Sequence, residues 1–224
     1  MNTVVASTRS TSAMPTTESI AKPIVFVVDD DISVRESLEA LIAEAGWRAK
    51  TFVSAEEFLA QPRDLVPSCL VLDVGLPALN GLELQKRITG KALPIIFITG
   101  RGDIPMSVQA MKQGAVEFLT KPFGPDVLLD AIGGAIERSR SSLAEEAGLQ
   151  DLRGRYASLT TREKEVMALV VRGQLNKLVA FELKLSEITV KVHRGRVMQK
   201  MEAGSLAELV NMAASLGLEV AGQR

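Results

Sequence analysis

Three consecutive carboxylates, Asp29, Asp30 and Asp31, follow the apolar run Ile24-Val25-Phe26-Val27-Val28, and a fourth, Asp73, closes the run Cys69-Leu70-Val71-Leu72. Thr99 follows Ile95-Ile96-Phe97-Ile98, and Lys121 stands just beyond the run Val116 to Leu119. If these runs are strands of one parallel sheet, the six side chains gather at its carboxyl edge, where such sheets bind ligands at the point of reversal in strand order. Like charges brought together there repel unless a divalent cation or a base neutralises them, and hard carboxylate oxygens with open positions suit Mg2+. Lys121 adds an ammonium group and Thr99 a hydroxyl. The chain has no glycine-rich phosphate loop, no nicotinamide fingerprint and no nucleophile-base-orienter triad, so the set fits transfer of a phosphoryl group onto a carboxylate. Asp31 suits the cap of a following helix better than a metal role.

The elements that must position these groups follow from periodicity. Apolar runs at Ile24 to Val28, Cys69 to Leu72 and Ile95 to Ile98, with further strands fitting Ala49 to Phe52 and Val116 to Leu119, alternate with helical patterns. Those patterns cover Ile32 to Ala45, Ser54 to Leu59, Gly81 to Ile88, Ile104 to Gln113 and Gly124 to about Arg138. Strands that are continuously apolar are buried on both faces, which predicts a doubly wound α/β domain with a parallel five-stranded sheet. The polar stretch from Ser139 to Tyr156 carries Gly148 and Gly154 and reads as a partly helical linker. Four short helices follow, Thr161 to Arg172, Asn176 to Leu183, Ser186 to Met201 and Ser205 to Leu216, and make an all-α domain. The expected division is a flexible Ser/Thr-rich tail over 1–22, an α/β domain over 23–140, a linker over 141–157 and a helical domain over 158–224.

Two domains also suit 224 residues, of which 46% are hydrophobic, 24% charged and 4% aromatic. No apolar run approaches a membrane span and the first residues lack a secretory pattern, so the cytoplasm is the expected location. With one cysteine, Cys69, and one histidine, His193, an internal disulfide and a Cys/His metal site are excluded, and Cys69 reads as a small buried hydrophobe. The net charge of −1 divides into +5 over residues 152–224 and −6 over the rest, so a polyanion would be met by the tail alone. There Ser186 can cap a helix that buries Val190 and Val197 and exposes Lys191, Arg194, Arg196 and Lys200, a basic stripe suited to a major groove.

The motifs Val27-Val28-Asp29-Asp30-Asp31, Leu72-Asp73 with Leu76-Pro77, Ile98-Thr99-Gly100 and Thr120-Lys121-Pro122-Phe123, each at a strand end, resemble the receiver domain of bacterial two-component response regulators. The resemblance covers residues 23 to about 140 and implies a flavodoxin-like sheet with a phosphoaspartate switch. It implies Asp73 as the phosphoacceptor, and Mg2+ held directly by Asp30 and Asp73, through a water by Asp29, and by the Gly75 carbonyl. Thr99 and Lys121 would grip the phosphoryl oxygens, and the Lys121-Pro122 peptide would be cis. Phe118 stands at the aromatic switch position, without the phenol many relatives carry there; it can equally be core. The loop Gly100-Arg101-Gly102-Asp103 reads as the hinge ahead of the fourth helix.

The tail is similar to the LuxR-type helix-turn-helix of NarL/FixJ response regulators through Leu159-Thr160-x-Arg162-Glu163, Asn176-Lys177 and Thr189-Val190-Lys191-Val192-His193-Arg194. The resemblance puts Lys191, Val192 and Gly195 toward base edges and Asn176, Lys177, Thr189, His193, Arg194 and Lys200 near phosphates. His193 can equally be a structural hydrogen-bonding residue. Gly195 offers no side chain and lowers helix stability by about 1 kcal/mol relative to Ala, which points to DNA shape or a close approach. Lys184 stands where many relatives have glycine, at an expected left-handed cost of about 1 kcal/mol or more. The apolar stripe of Leu206, Leu209, Val210 and Ala213 serves either a dimer or its own domain.

The implied protein is a transcriptional regulator, not a turnover enzyme. A sensor histidine kinase and promoter DNA are its partners, it forms a homodimer when phosphorylated, RNA polymerase is a further candidate, and no membrane is involved. A phosphatase or phosphotransferase would need a second acid two residues after Asp73, where the chain has Gly75. A relay or interaction module whose tail never meets DNA is the other alternative, separable by the salt dependence of binding.

Overall fold

The computed structural model describes residues 22–77, 79–88, 93–100 and 104–220. The sequence-based expectations for the tail over 1–21 and for residues 101–103 of the hinge loop lie outside them. The chain divides after Arg140 into two compact units.

In the first unit strands β1 (Ile24–Val28), β2 (Arg48–Phe52), β3 (Ser68–Asp73), β4 (Ile95–Thr99) and β5 (Glu117–Thr120) form a parallel sheet in the order β2-β1-β3-β4-β5. Between and after them run α1 (Ile32–Glu44), α2 (Ala55–Ala60), α3 (Gly81–Arg87), α4 (Ile104–Lys112) and α5 (Pro125–Ala157). Alternate residues of each strand serve opposite faces. Phe26, Leu70, Leu72 and Phe97 pack with Phe58 of α2, Leu84 of α3 and Ala110 of α4, while Val25, Val71, Ile96 and Ile98 pack with Leu38 and Ile42 of α1 and Leu128 and Ile132 of α5. Both faces are therefore dry over β1, β3 and β4, which is why those strands read as near-continuous apolar runs, while the edge strands β2 and β5 are only partly buried. Cys69 belongs to the second face, and burial pushes its thiol pKa up to about 12.

The helix starts are set by side chains that replace missing intrahelical partners. Asp31 accepts from the Ser33 amide, Ser54 from Glu57 and Asn80 from Glu83. The strand order reverses between β1 and β3, so Asp29 and Asp73 emerge side by side at the crevice. The Lys121-Pro122 peptide is cis.

The largest departure from the sequence reading lies in α5, one helix of 33 residues that runs through the stretch read as a linker. Its residues are mostly good helix formers, and the two glycines that suggested a break each cost only about 1 kcal/mol. Ser139, where the apolar period falters, is fully buried, and its hydroxyl accepts the Ser68 amide at the start of β3 at 3.0 Å.

The second unit holds α6 (Thr161–Val171), α7 (Asn176–Leu183), α8 (Glu187–Met201) and α9 (Leu206–Ser215). Two faces of α6 build its core. Met167 and Val171 meet Val197, Met201, Leu209 and Ala213, with Leu152 and Tyr156 of α5 against them, while Val166 and Val170 meet Val179, Ala180 and Val190. The stripe on α9 thus packs within its own domain through Leu209, Val210 and Ala213. Between α7 and α8, Lys184 adopts φ 54° and ψ 49°, the left-handed conformation expected there, and Leu185 donates back to the Ala180 carbonyl at 2.9 Å.

Gly81 opens α3 directly beneath the crevice. A Cβ there would lie 2.6 Å from the Asp73 carbonyl oxygen and 3.1 Å from the Phe97 ring. Gly81→Ala is therefore expected to destabilise the protein by about 1–3 kcal/mol in denaturant titration, since backbone must move. Gly134→Ala on α5, where a Cβ meets nothing within 4 Å, should instead be neutral or stabilising by up to about 1 kcal/mol.

Candidate functional site

At the crevice Asp29, Asp30 and Asp73 each present a carboxylate oxygen, all within 4.8 Å of one another. Asp29 and Asp73 are buried and Asp30 is exposed. Lys121 reaches in from beyond β5, with its Nζ 2.7 Å from Asp29 Oδ2 and 3.6 Å from Asp73 Oδ1. Its backbone is fixed by a hydrogen bond that the Lys121 amide donates to the Thr99 carbonyl at 2.7 Å. Asp29 Oδ1 accepts the Asp31 amide at 2.9 Å, so both Asp29 oxygens are engaged. Asp73 Oδ2 accepts the Gly75 amide at 3.1 Å. Burial raises the Asp73 carboxyl above the ordinary Asp range; Lys121 pulls against that shift and Asp29 adds to it.

The structure thus brings together Asp29, Asp30, Asp73, Gly75 and Lys121. Thr99 closes β4 as a buried residue. Phe118 is half-buried on β5, its ring centroid 6.2 Å from that of Phe97. Asp31 serves as the α1 cap, as its position suggested. One further cation was missed by sequence reasoning: Arg35 of α1 donates from Nη1 to the Asp29 carbonyl at 2.7 Å. Its signal was a base one turn into the helix that opens beside the acids. Three acids facing one lysine leave a surplus of negative charge, and the donor set is hard oxygen with Asp30 open to solvent, so these residues fit a divalent cation such as Mg2+.

In the second unit α8 begins at Ser186, whose hydroxyl accepts the Thr189 amide at 3.1 Å and lies 2.8 Å from Thr189 Oγ1. Lys191, Val192 and Gly195 are exposed, and a Cβ on Gly195 would meet nothing within 4 Å. Arg194 donates to Asn176 Oδ1 at 3.1 Å, tying α8 to the start of α7, where Lys177 is exposed. His193 is half-buried, with Nδ1 enclosed and without a hydrogen-bond partner among the described residues. Lys200 is engaged inside the unit: its Nζ donates to Glu163 Oε2 at 2.7 Å and to the Ser158 carbonyl at 3.3 Å. Glu163 closes a capping box with Thr160 at the start of α6. Sequence reasoning used Thr160 and Glu163 only within a family motif and found neither the box nor this partner, since Lys200 lies 37 positions away.

Sheet order, acidic crevice and capped helical tail define a two-component response regulator, a receiver joined to a helix-turn-helix. Residues 25–133 match the response regulator receiver domain family, and residues 157–213 match the bacterial regulatory proteins of the luxR family. The chain is 50% identical over 204 residues to Nodulation protein W of Bradyrhizobium diazoefficiens, covering 90% of each protein. It is 43% identical to the Transcriptional regulatory protein FixJ of the same species, over 87% of this chain and 96% of that one. The solved structure of the response regulator StyR matches with a TM-score of 0.76 at 47% identity, over 87% of this chain and 99% of that one. Full-length FixJ from B. japonicum matches at 0.51 and 40%, over 90% and 100%. The chain belongs to the NarL/FixJ response regulators and is a regulator of transcription.

Two outcomes follow from these electrostatics. An acid whose folded pKa is raised opposes folding once ionised, so Asp73→Asn should raise the melting temperature of the metal-free protein at neutral pH. The gain should fade as pH falls below the ordinary Asp range, where the carboxyl is protonated in both states. Glu163 behaves oppositely: its bonds from Lys200 and then from the Thr160 amide hold its pKa down to about 2, against an ordinary 4.5. Its contribution is full above the ordinary value and is lost as pH falls toward 2. Lys200→Met should therefore move acid unfolding of the helical unit to higher pH, read by NMR from Tyr156, the only tyrosine.

Proposed function

We propose that Asp73 is the phosphoacceptor through which a sensor histidine kinase controls DNA binding by the helical unit. The observation that carries the reading is the meeting of Asp29, Asp30, Asp73 and Lys121 at the point where the strand order reverses. An Asp73 carboxylate oxygen attacks the phosphorus of the kinase phosphohistidine. The P–N bond breaks, and the imidazole nitrogen keeps the electron pair and takes up a proton. Asp30, Asp73 and the Gly75 carbonyl would hold Mg2+ directly, with Asp29, whose two oxygens are already engaged, contributing less directly. The cation, when bound, offsets repulsion between the acids and the entering phosphoryl oxygens. Lys121 shifts from Asp29 toward the new negative charge and Thr99 donates its hydroxyl to it.

The added charge draws Thr99 inward and biases the packing of α4 and β5, with Phe118 as the side chain that reports the change. The phosphorylated chain pairs as a homodimer and binds promoter DNA in the cytoplasm, with RNA polymerase as a further partner. Lys191, Val192 and Gly195 face base edges, and Asn176, Lys177, Thr189, His193 and Arg194 lie near phosphates. Lys200, held by Glu163, contributes more to the domain than to the duplex. The domains that carry these roles are 23–140 and 158–224, joined through 141–157. The Asp73 acyl phosphate is a signal, not a turnover intermediate, so the chain acts as a switch and not as an enzyme.

The test is oligomeric state and DNA affinity with and without acetyl phosphate and Mg2+, on the wild type and Asp73→Ala. The expected result is donor-dependent dimerisation and tighter, salt-sensitive binding in the wild type alone. Equal binding by both proteins would remove Asp73 from control.

A further inference from the structure

Helix α8 buries Val190, Val197 and Met201, which recur on one side. At about 100° per residue, the opposite side is the line Ile188, Val192, Gly195 and Gln199, spaced i, i+4, i+7 and i+11. All four residues are exposed, Ile188 by 78% and Val192 by 48%. The leading edge of the helix is thus uncharged, and its first two members are β-branched hydrocarbons. Lys191 flanks that edge on one side and Arg196 on the other; both are exposed, and among the described residues neither carries an ion pair.

A neutral ridge with Lys191 beside it for base edges and Arg196 on its other side for phosphates is complementary to a major groove, where phosphates line the walls and base edges form the floor. Ile188 lies in the first turn of α8, the end of a recognition helix that reaches bases. Gly195 leaves the ridge low in its middle, so the backbone can approach closely. A side chain without donors or acceptors reads no hydrogen-bond pattern. The apolar feature that the floor of the groove offers is the thymine 5-methyl group.

We infer that Ile188, with Val192 one turn on, is a specificity-determining residue that reads thymine 5-methyl groups in the operator. The inference rests on the DNA-binding reading above and adds a residue and a base chemistry to it. It requires at least one thymine in the recognised sequence whose methyl group, and not its hydrogen-bonding edge, is sensed.

The experiment uses the full chain, treated with acetyl phosphate and Mg2+, to select duplexes from a random-sequence pool. Each thymine of the selected duplex is then replaced singly by deoxyuridine, which removes the methyl and leaves pairing intact. The wild type is expected to lose about four-fold in affinity at the position beneath Ile188, the worth of one buried methyl. Ile188→Ala should bind the two duplexes equally there while keeping the wild-type response at the other positions, and Val192→Ala should lose discrimination at a neighbouring base. Because Ile188 touches no core, its circular dichroism and melting temperature should match the wild type.

Two results would overturn the inference and leave DNA binding intact: no deoxyuridine position that weakens the wild type, or an unchanged response in Ile188→Ala. The second would point to a protein partner over this ridge. A pool that yields no enriched sequence would instead defeat the DNA-binding reading, and this inference with it.

Discussion

Carboxylates crowded into a few ångströms repel one another, and burying two of them removes the water that would screen the repulsion. Much of the first unit can be understood as holding that arrangement against its own tendency to come apart. The reversal of strand order sets Asp29 beside Asp73, and the Lys121 ammonium sits between them, closer to Asp29. The Asp31 amide takes the remaining Asp29 oxygen, and Arg35 draws on the carbonyl of the same residue. One lysine against three acids is an incomplete neutralisation, which leaves the pocket receptive to a cation and responsive to any new charge.

The helical unit solves a similar problem with one acid and one base. Glu163 is nearly inaccessible, yet it keeps its charge because Lys200 and the Thr160 amide both donate to it. This fixes the start of α6 against the end of α8, so the helix with the exposed cations is braced at its far end. Arg194 braces it again against Asn176 on α7. Basic residues on one helix therefore divide between those that hold the domain together and those, such as Lys191 and Arg196, left facing solvent. The left-handed Lys184 is tolerated because the amides of Lys184 and Leu185 still find the carbonyls at the end of α7.

Most of the fold was legible because the signals are local. Five expected strands are five strands, each within a residue or two of its expected ends, and Asp31, Ser54 and Ser186 cap the helices they precede. The acidic crevice was legible too, because strand-end residues of a parallel sheet converge whatever the details. What escaped was whatever depends on partners distant in sequence. Ser139 looks like the start of a linker until the Ser68 amide, 71 positions earlier, is seen to need an acceptor. The pairing of Lys200 with Glu163, 37 positions earlier, is equally invisible to a local pattern. Arg35 was near enough in sequence to be found, but its partner is a main-chain carbonyl, which no residue pattern announces.

Cys69 sits mid-sheet with its thiol held protonated at every physiological pH. Since it is the sole cysteine of the chain, the native protein presents a surface silent to thiol-directed reagents. A cysteine introduced at any solvent-facing position would then react alone, without first removing the natural one. The protein is in this sense already a blank background for spin labels and fluorophores, so movements of either unit can be followed with every core contact of the β3 strand left in place.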